Sequence, residues 1–245
     1  MALRSGRYHN LKHHKDAADQ KRAAACAKMG LLIASAVQLG GGTRPEDNPR
    51  LRLAITRARA VQMTSEAIDR AIKKGAGIGT DGKQLIELTY EGYAPGGVAI
   101  VVEALTDNRN RTAPEIKKLF EVHGGAIGAP GCVAWQFKPR AVFAVEGADD
   151  NRVMEVLLDG GADAIDVTCS DGITEIIAEP RDYDAIAKAL AAAKLTVASS
   201  DLTRLPDVEV PVTDPAVAEA VQALLDDLEE HADVQEALHN AAFSA

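Results

Sequence analysis

The chain has 245 residues and is 47% hydrophobic but only 4% aromatic, so its length allows two or three small domains with aliphatic cores. It contains no apolar run of the ~18 residues that a membrane-spanning helix needs, and its three scattered cysteines exclude a disulfide framework. The net charge of −9 is segregated: residues 1–75 contain 15 basic and 6 acidic residues, and residues 76–245 contain 12 and 30, which predicts a polyanionic partner at the basic end.

The basic amino-terminal segment RSGRYHNLKHHK interleaves cations with a tyrosine and three histidines. This composition suits phosphate neutralisation and base stacking, as in nucleic-acid-binding tails. The candidate contacts in it are Arg7, Tyr8, Lys12 and Lys15. His9 and His13 also suggest a metal site, but no carboxylate or thiol lies at ligand spacing, so we expect neither a metal nor a cofactor. The segment lacks the apolar stretch of a secretory signal, and we expect a cytoplasmic protein.

Three helices are predicted next. Asp16 to Leu39 is rich in alanine and free of proline, Asn48-Pro49 is a helix start signal, and a short helix runs from Thr64 to Gly75. The helical repeat of the second and third helices places basic side chains outside the apolar stripe. These further candidates for nucleic-acid contact are Arg50, Arg52, Arg57, Arg59, Lys73 and Lys74. The glycine-rich stretch 75–83 is predicted to be a linker, and residues 1–80 a basic helical domain with a tail.

Strands and helices alternate in the rest of the chain. Residues 141–205 have the order βαββαβ, with a hairpin signal at Asp171-Gly172, which is typical of a ferredoxin-like unit. The strands before and after that unit can complete one another as a single sheet. The strands before it include a third strand at 131–137, and the chain is predicted to break at Lys138-Pro139-Arg140. The predicted fold class is therefore α+β: a three-helix bundle followed by two α/β domains, the third domain (139–205) inserted within the second (81–138 plus 206–245).

The turn LTDNRNRT, between a buried strand and a helix, is the best-defined local motif. Thr112 is predicted to cap the helix and to form a capping box with Glu115, with Pro114 in the first turn. A helix amino terminus attracts phosphate, and two arginines and two asparagines could bind it. These candidates are Asn108, Arg109, Asn110 and Arg111. The alternative is a structural turn whose arginines are solvated or paired with acids such as Glu103 or Asp107.

No catalytic motif is present: the chain lacks HExxH, a nucleophile elbow and a glycine-rich loop after a strand. The acidic pairs at 226–227 and 229–230 lie on one predicted helix without basic or metal-ligand neighbours in sequence, as on a solvated face. We therefore expect a protein that is not an enzyme.

Several long motifs resemble the YebC/PmpR family, in the right order and over nearly the whole chain: YEGYAPGGVAIVVEALTDNRNRT, NPRLRLAI, DRAIKKGAG, HGGAIG with VAWQF, and DVQEALHNA. The resemblance implies three domains, one inserted in another, and a cytoplasmic regulator without enzymatic activity. Members are described as DNA-binding transcriptional regulators, and mitochondrial relatives as translational activators. The family's usual start, GHSKWANIKHRK, is SGRYHNLKHHK here, and the next helix has lost basic residues while keeping Arg22 and Lys28. This departure bears on the target more than on the fold.

Three functions are consistent with these patterns. The first is a monomeric, DNA-binding transcriptional regulator that reads the phosphate backbone with weak sequence specificity. The second is a translation factor that contacts rRNA or tRNA on the ribosome. The third is a protein-interaction module that uses the acidic carboxy-terminal helix.

Overall fold

The computed structural model describes residues 18–77 and 84–243. Contacts within the chain divide it into two compact units. One unit comprises residues 1–134 and 208–245, and the other, the inserted unit, comprises residues 135–207. The predicted three-domain boundaries within this arrangement stay a prediction.

Three helices begin the described chain: α1 (Ala18–Gly40), α2 (Pro49–Ala60) and α3 (Ser65–Gly75). Asn48 caps α2, accepting a hydrogen bond from the Leu51 amide at 3.0 Å and donating to the carbonyls of Ala36 and Gly42. Since its amide is fully buried, these bonds fix both the start of α2 and its angle to α1. A Cβ on Gly75 would lie 2.6 Å from the Ala34 carbonyl oxygen, so only glycine permits the close approach of α3 to α1.

A four-stranded antiparallel sheet forms the centre of the same unit. Its strands are β1 (Ile86–Tyr93), β2 (Ala99–Thr106), β3 (Ala126–Ile127) and β9 (Val234–His239), in the order β3-β1-β2-β9. Helices α4 (Arg109–Val122) and α7 (Pro215–Glu230) supply buried side chains to one apolar core with this sheet. A smaller cluster joins Ala34 of α1 to Leu105 of β2. The strands β8 (Val210–Val212) and β10 (Ala241–Phe243) form a separate parallel pair.

The pairing of β9 with β2 joins two segments that lie more than a hundred residues apart, with Val102 opposite Ala237. A bulge between Glu103 and Ala104 shifts the register, so that Glu103 lies opposite Glu236 and Ala104 opposite Val234. The predicted completion of one sheet by strands from both sides of the insertion is thus present.

The inserted unit contains β4 (Phe137–Glu146), α5 (Asp150–Asp159), β5 (Asp166–Ser170), β6 (Ile173–Ala178), α6 (Tyr183–Ala192) and β7 (Thr196–Pro206). Its sheet has the order β5-β6-β4-β7 with antiparallel pairs throughout, and its core lies between the sheet and the two helices. Asp171 and Gly172 both have positive φ in the β5–β6 turn, which is the backbone that an Asp-Gly hairpin adopts. The predicted fold class is confirmed, including the ferredoxin-like insertion.

One strand assignment was wrong. The predicted strand at 131–137 is a short 3-10 turn (Ala134–Gln136), and β4 starts at Phe137 and continues through Lys138-Pro139-Arg140 instead of breaking there. Pro139 pairs only with Arg204 of β7, because the pairing of β4 with β6 begins at Ala141. A strand with one neighbour tolerates the missing N–H of a proline.

Candidate nucleic-acid interface

Helix α2 separates its apolar and basic side chains as predicted from its repeat. Leu51, Ala54, Ile55 and Ala58 are buried. Arg52 and Arg59, two turns apart, are exposed on the same side of the helix. Neither arginine forms an ion pair with the described residues, and both side chains are exposed.

Helix α3 adds two more exposed cations, Lys73 and Lys74, in its last turn. Lys73 and Arg59 line the same groove between α2 and α3, which has a volume of about 490 Å³. Isoleucine side chains form part of the lining of this groove, which includes one acid, Asp69. We call Arg52, Arg59, Lys73 and Lys74 the α2–α3 basic surface.

The other two predicted cations of α2 lie differently. Arg50 donates to Glu87 of β1 at 2.8 Å, an ion pair in which both side chains are about half exposed. Arg57, two turns further along, is partly buried, and its Nε has no contact with solvent. Arg50 and Arg57 therefore differ from the α2–α3 basic surface: the charge of Arg50 is paired with an acid, and Arg57 is partly buried.

The helix after the LTDNRNRT turn starts one turn earlier than predicted. Asn108 is the N-cap of α4, and its side chain accepts from the Arg111 amide at 3.3 Å. Thr112 is a buried residue inside the helix, so it forms no capping box with Glu115, and Pro114 lies in the second turn. Asn108 and Thr112 are both residue types that commonly cap helices. Asn108 is the cap of α4 because the Thr112 hydroxyl binds a buried partner instead.

That partner is Asp233, just before β9. Its Oδ2 accepts hydrogen bonds from Thr112 Oγ1 at 2.7 Å, from Arg111 Nη2 at 2.7 Å and from Thr106 Oγ1 at 3.1 Å. Burial raises the pKa of Asp233, but the hydrogen bonds from Arg111, Thr112 and Thr106 and the charge of Arg111 outweigh it, so the pKa lies below its usual value. Asp233 is therefore an ionised, nearly buried anchor for the start of α4.

Arg111 is surrounded by acids, since Asp107 and Glu115 lie 3.5 and 4.0 Å from its guanidinium in addition to Asp233. The hydrogen bond and the charge of Asp233 raise the pKa of Arg111 above its usual value. An incoming phosphate would have to compete with three carboxylates for this side chain.

Arg109 and Asn110, by contrast, are exposed in the first turn of α4. Arg109 forms no ion pair with the described residues. Burial raises the pKa of Tyr90, and the positive charge of Arg109 partly offsets this rise. The Tyr90 hydroxyl is buried and has no hydrogen-bond partner in the described structure. The two arginines of the motif therefore differ, although only Asn110 lies between them: Arg109 is available to a ligand, and Arg111 is bound within the fold.

The sequence candidates thus fall into three groups. The structure brings Arg59 and Lys73 together at one groove and leaves Arg52, Lys74, Arg109 and Asn110 exposed. Asn108, Arg50 and Arg111 make contacts within the fold, and Arg57 is partly buried there. Arg7, Tyr8, Lys12 and Lys15 lie outside the described residues. Asp233 and Glu87 were missed because their partners lie 122 and 37 residues away, and no local pattern marks such pairs.

Other kinds of site are not evident in the described ranges. Among residues 18–77 and 84–243 no three His, Cys, Asp or Glu side chains come together in a way that could hold a metal ion. Over the same ranges, no helix has both the length and the apolar character needed to cross a bilayer.

Comparison with known proteins covers almost the entire chain. Residues 6–78 match the family model described as the TACO1/YebC protein N-terminal domain, and residues 85–241 match the TACO1/YebC second and third domain. A probable transcriptional regulatory protein of Moorella thermoacetica is 41% identical over 239 residues, covering 96% of this chain and 94% of the relative. One of the same name from Aeromonas salmonicida is 40% identical over 235 residues, covering 96% and 94%.

A solved structure shares the fold. The crystal structure of a conserved hypothetical protein from Aquifex aeolicus matches with a TM-score of 0.83 and 38% identity, and the match covers 96% of each chain. Because both family models match in order and the relatives align over nearly their full length, the chain belongs to the TACO1/YebC family.

Proposed function

We propose that the protein is a non-enzymatic regulator of gene expression that binds DNA through the α2–α3 basic surface. The observation that carries the proposal is the meeting of Arg59 and Lys73 at one groove, together with Arg52 and Lys74, which are exposed and form no ion pair with the described residues. Cations free of carboxylate partners are the side chains that neutralise phosphates and release counterions. The names of the relatives, probable transcriptional regulatory proteins, favour DNA over other polyanions.

Arg109 and Asn110 form a second, smaller contact at the start of α4. Their position in the same compact unit as α2 and α3 supports a shared ligand. We expect binding to depend mainly on contacts with the phosphate backbone and only weakly on base sequence. Arg111 acts here through the fold, by holding the turn that presents Arg109.

Fluorescence anisotropy with labelled duplex DNA over a series of salt concentrations tests the proposal. The double variant Arg59→Gln/Lys73→Gln should bind more weakly, and its slope of log affinity against log salt should be shallower by about 2, since each phosphate contact contributes about 0.9. The matched control is Arg181→Gln/Lys188→Gln, which removes the same charge from exposed positions of the inserted unit. Equal affinity and slope for both variants, with intact circular dichroism, would overturn the proposal.

The same variants separate DNA from RNA as the partner. One outcome is that the protein cofractionates with ribosomes in a sucrose gradient after DNase treatment while the Arg59→Gln/Lys73→Gln variant does not. In that case the partner of the α2–α3 basic surface is RNA on the ribosome and not DNA. Free sedimentation of both proteins, together with DNA binding in the anisotropy assay, supports the DNA-binding regulator.

A further inference from the structure

The inserted unit has an exposed edge strand. β5 is the last strand in the order β5-β6-β4-β7 and pairs with β6 alone among the described strands. All of its residues except Val167 are exposed. Such an edge presents a row of backbone N–H and C=O groups that can form hydrogen bonds with an added strand.

Three exposed apolar side chains belong to α5, which contacts β5, and to the residue just before β5. Met154, Leu158 and Ile165 are 50%, 77% and 53% exposed. Gly160 packs against Ala189 of α6, so Met154 and Leu158 lie on the side of α5 that faces away from α6. Ile165 lies two residues before Val167, which packs on the core of the unit, so Ile165 is on the face of the sheet that the helices cover. We call these three side chains and the β5 edge the β5–α5 surface.

The opposite face at the same edge is acidic and polar. Asp166 and Thr168 lie on it and are joined by a hydrogen bond of 3.1 Å. Asp159 and Asp163 are exposed in and after the last turn of α5. Residues 135–207 contain 14 acidic and 7 basic residues, a net charge of −7. This charge opposes a nucleic acid and also a second copy of the same acidic edge.

We propose that the β5–α5 surface binds an extended segment of another protein in which apolar and basic residues alternate. The segment pairs with β5 through its backbone. Alternate side chains of an added strand point to opposite faces, so its apolar residues contact Leu158 and Ile165 while its basic residues lie beside Asp166. The proposal is independent of nucleic-acid binding, since all these residues belong to the inserted unit.

A synthetic peptide that alternates valine and lysine is the probe, and the block isomer with all lysines before all valines is its control. Both peptides have the same charge, but only the first matches the twofold repeat of a strand. We expect the alternating peptide to slow amide hydrogen exchange in β5 and alkylation of the exposed Cys169, with exchange in the other edge strand, β7, unchanged. The block isomer should have neither effect.

Leu158→Lys should weaken binding of the alternating peptide by about tenfold or more, because it removes an apolar contact and adds a like charge. Val122→Lys is the matched control, since Val122 is 66% exposed at the end of α4 in the other unit. Both substitutions are at exposed helix ends, where lysine is well tolerated. The proposal would be overturned if both peptides protected β5 equally or if Leu158→Lys did not weaken binding of the alternating peptide. Protection of β5 by duplex DNA or by self-association would overturn it as well.

Discussion

Two arginines that are two positions apart, Arg109 and Arg111, have different physical situations. Arg109 is exposed without an ion pair to the described residues, whereas Arg111 donates to the nearly buried carboxylate of Asp233 at 2.7 Å. Both were candidates for phosphate contact, and spacing in sequence does not distinguish them. The difference arises from Asp233, which reaches the turn from a segment 122 residues later.

Arg111→Ala should lower the local free energy of unfolding at α4 and β9 by about 1–2 kcal/mol, because it removes one of three donors to Asp233 and the guanidinium is about half exposed. Arg109→Ala should change it by less than about 0.5 kcal/mol and should weaken DNA binding instead. Amide hydrogen exchange in α4 and β9 measures the first quantity and anisotropy the second. Equal destabilisation by the two variants would contradict this division.

The pH dependence gives an internal check on the Asp233 anchor. The pKa of Asp233 is lowered in the folded protein, so its stabilising contribution is present at neutral pH and is lost as the pH falls below about 4. The difference in unfolding free energy between the wild type and Arg111→Ala should therefore shrink over that range. A constant difference at all pH values would mean that Arg111 stabilises the fold without Asp233.

At the scale of elements, one buried carboxylate holds the connection between β3 and β4. Glu91 of β1 accepts hydrogen bonds from the amides of Gly131 at 2.6 Å, Val133 at 2.9 Å and Ala134 at 2.7 Å. Cys132 lies within this loop, and burial together with the charge of Glu91 raises the pKa of its thiol. The loop lacks regular structure at 128–133, and the Glu91 side chain accepts hydrogen bonds from backbone groups that no strand partner satisfies.

Glu91→Gln should open this loop, because an amide group would place an N–H donor against at least one backbone donor, at a cost of about 1–3 kcal/mol. Removal of the negative charge should also lower the pKa of Cys132. Both effects should make alkylation of Cys132 several times faster, as measured by peptide mass spectrometry. The exposed Cys169 in the inserted unit is the control, and an unchanged rate at Cys132 would show that Glu91 does not hold the loop.

At the scale of the whole molecule, the insertion begins and ends on adjacent strands. Phe137 lies opposite Pro206, and the Asp207 amide donates to the Gln136 carbonyl at 2.8 Å. Because paired strands are only about 5 Å apart, a short linker can span the gap that removal of the inserted unit would leave.

Replacement of residues 135–207 by two glycines should therefore leave the remaining unit folded and able to bind DNA, since the α2–α3 basic surface and Arg109 belong to that unit. The isolated segment 135–207 should fold alone and keep the peptide-binding surface. Circular dichroism and anisotropy test both parts. Loss of DNA binding by a well-folded shortened chain would show that the inserted unit takes part in binding.

Periodicity and turn residues were sufficient to predict the fold class. Helix caps such as Asn48, the Asp-Gly hairpin and the apolar run of β2 are local signals, and each appears in the structure as the pattern indicates. The errors came where two local signals compete. Thr112 was predicted to cap α4, but Asn108 is the cap, and Pro139 was predicted to end a strand but lies within β4. The pairing of candidate arginines with Glu87 and Asp233 could not be predicted, because it depends on which distant segments meet.

The late pairing of β9 with β2 has a consequence for the newly made chain. During synthesis from the amino terminus, all strands of the inserted unit, which end at Pro206, emerge before β9, which ends at His239. The inserted unit can therefore fold first, since domains generally fold as units. Until β9 arrives, β2 offers an open edge that carries the apolar residues Ile100, Val101 and Val102. The nascent protein is then most prone to aggregation while the ribosome translates residues 107–239.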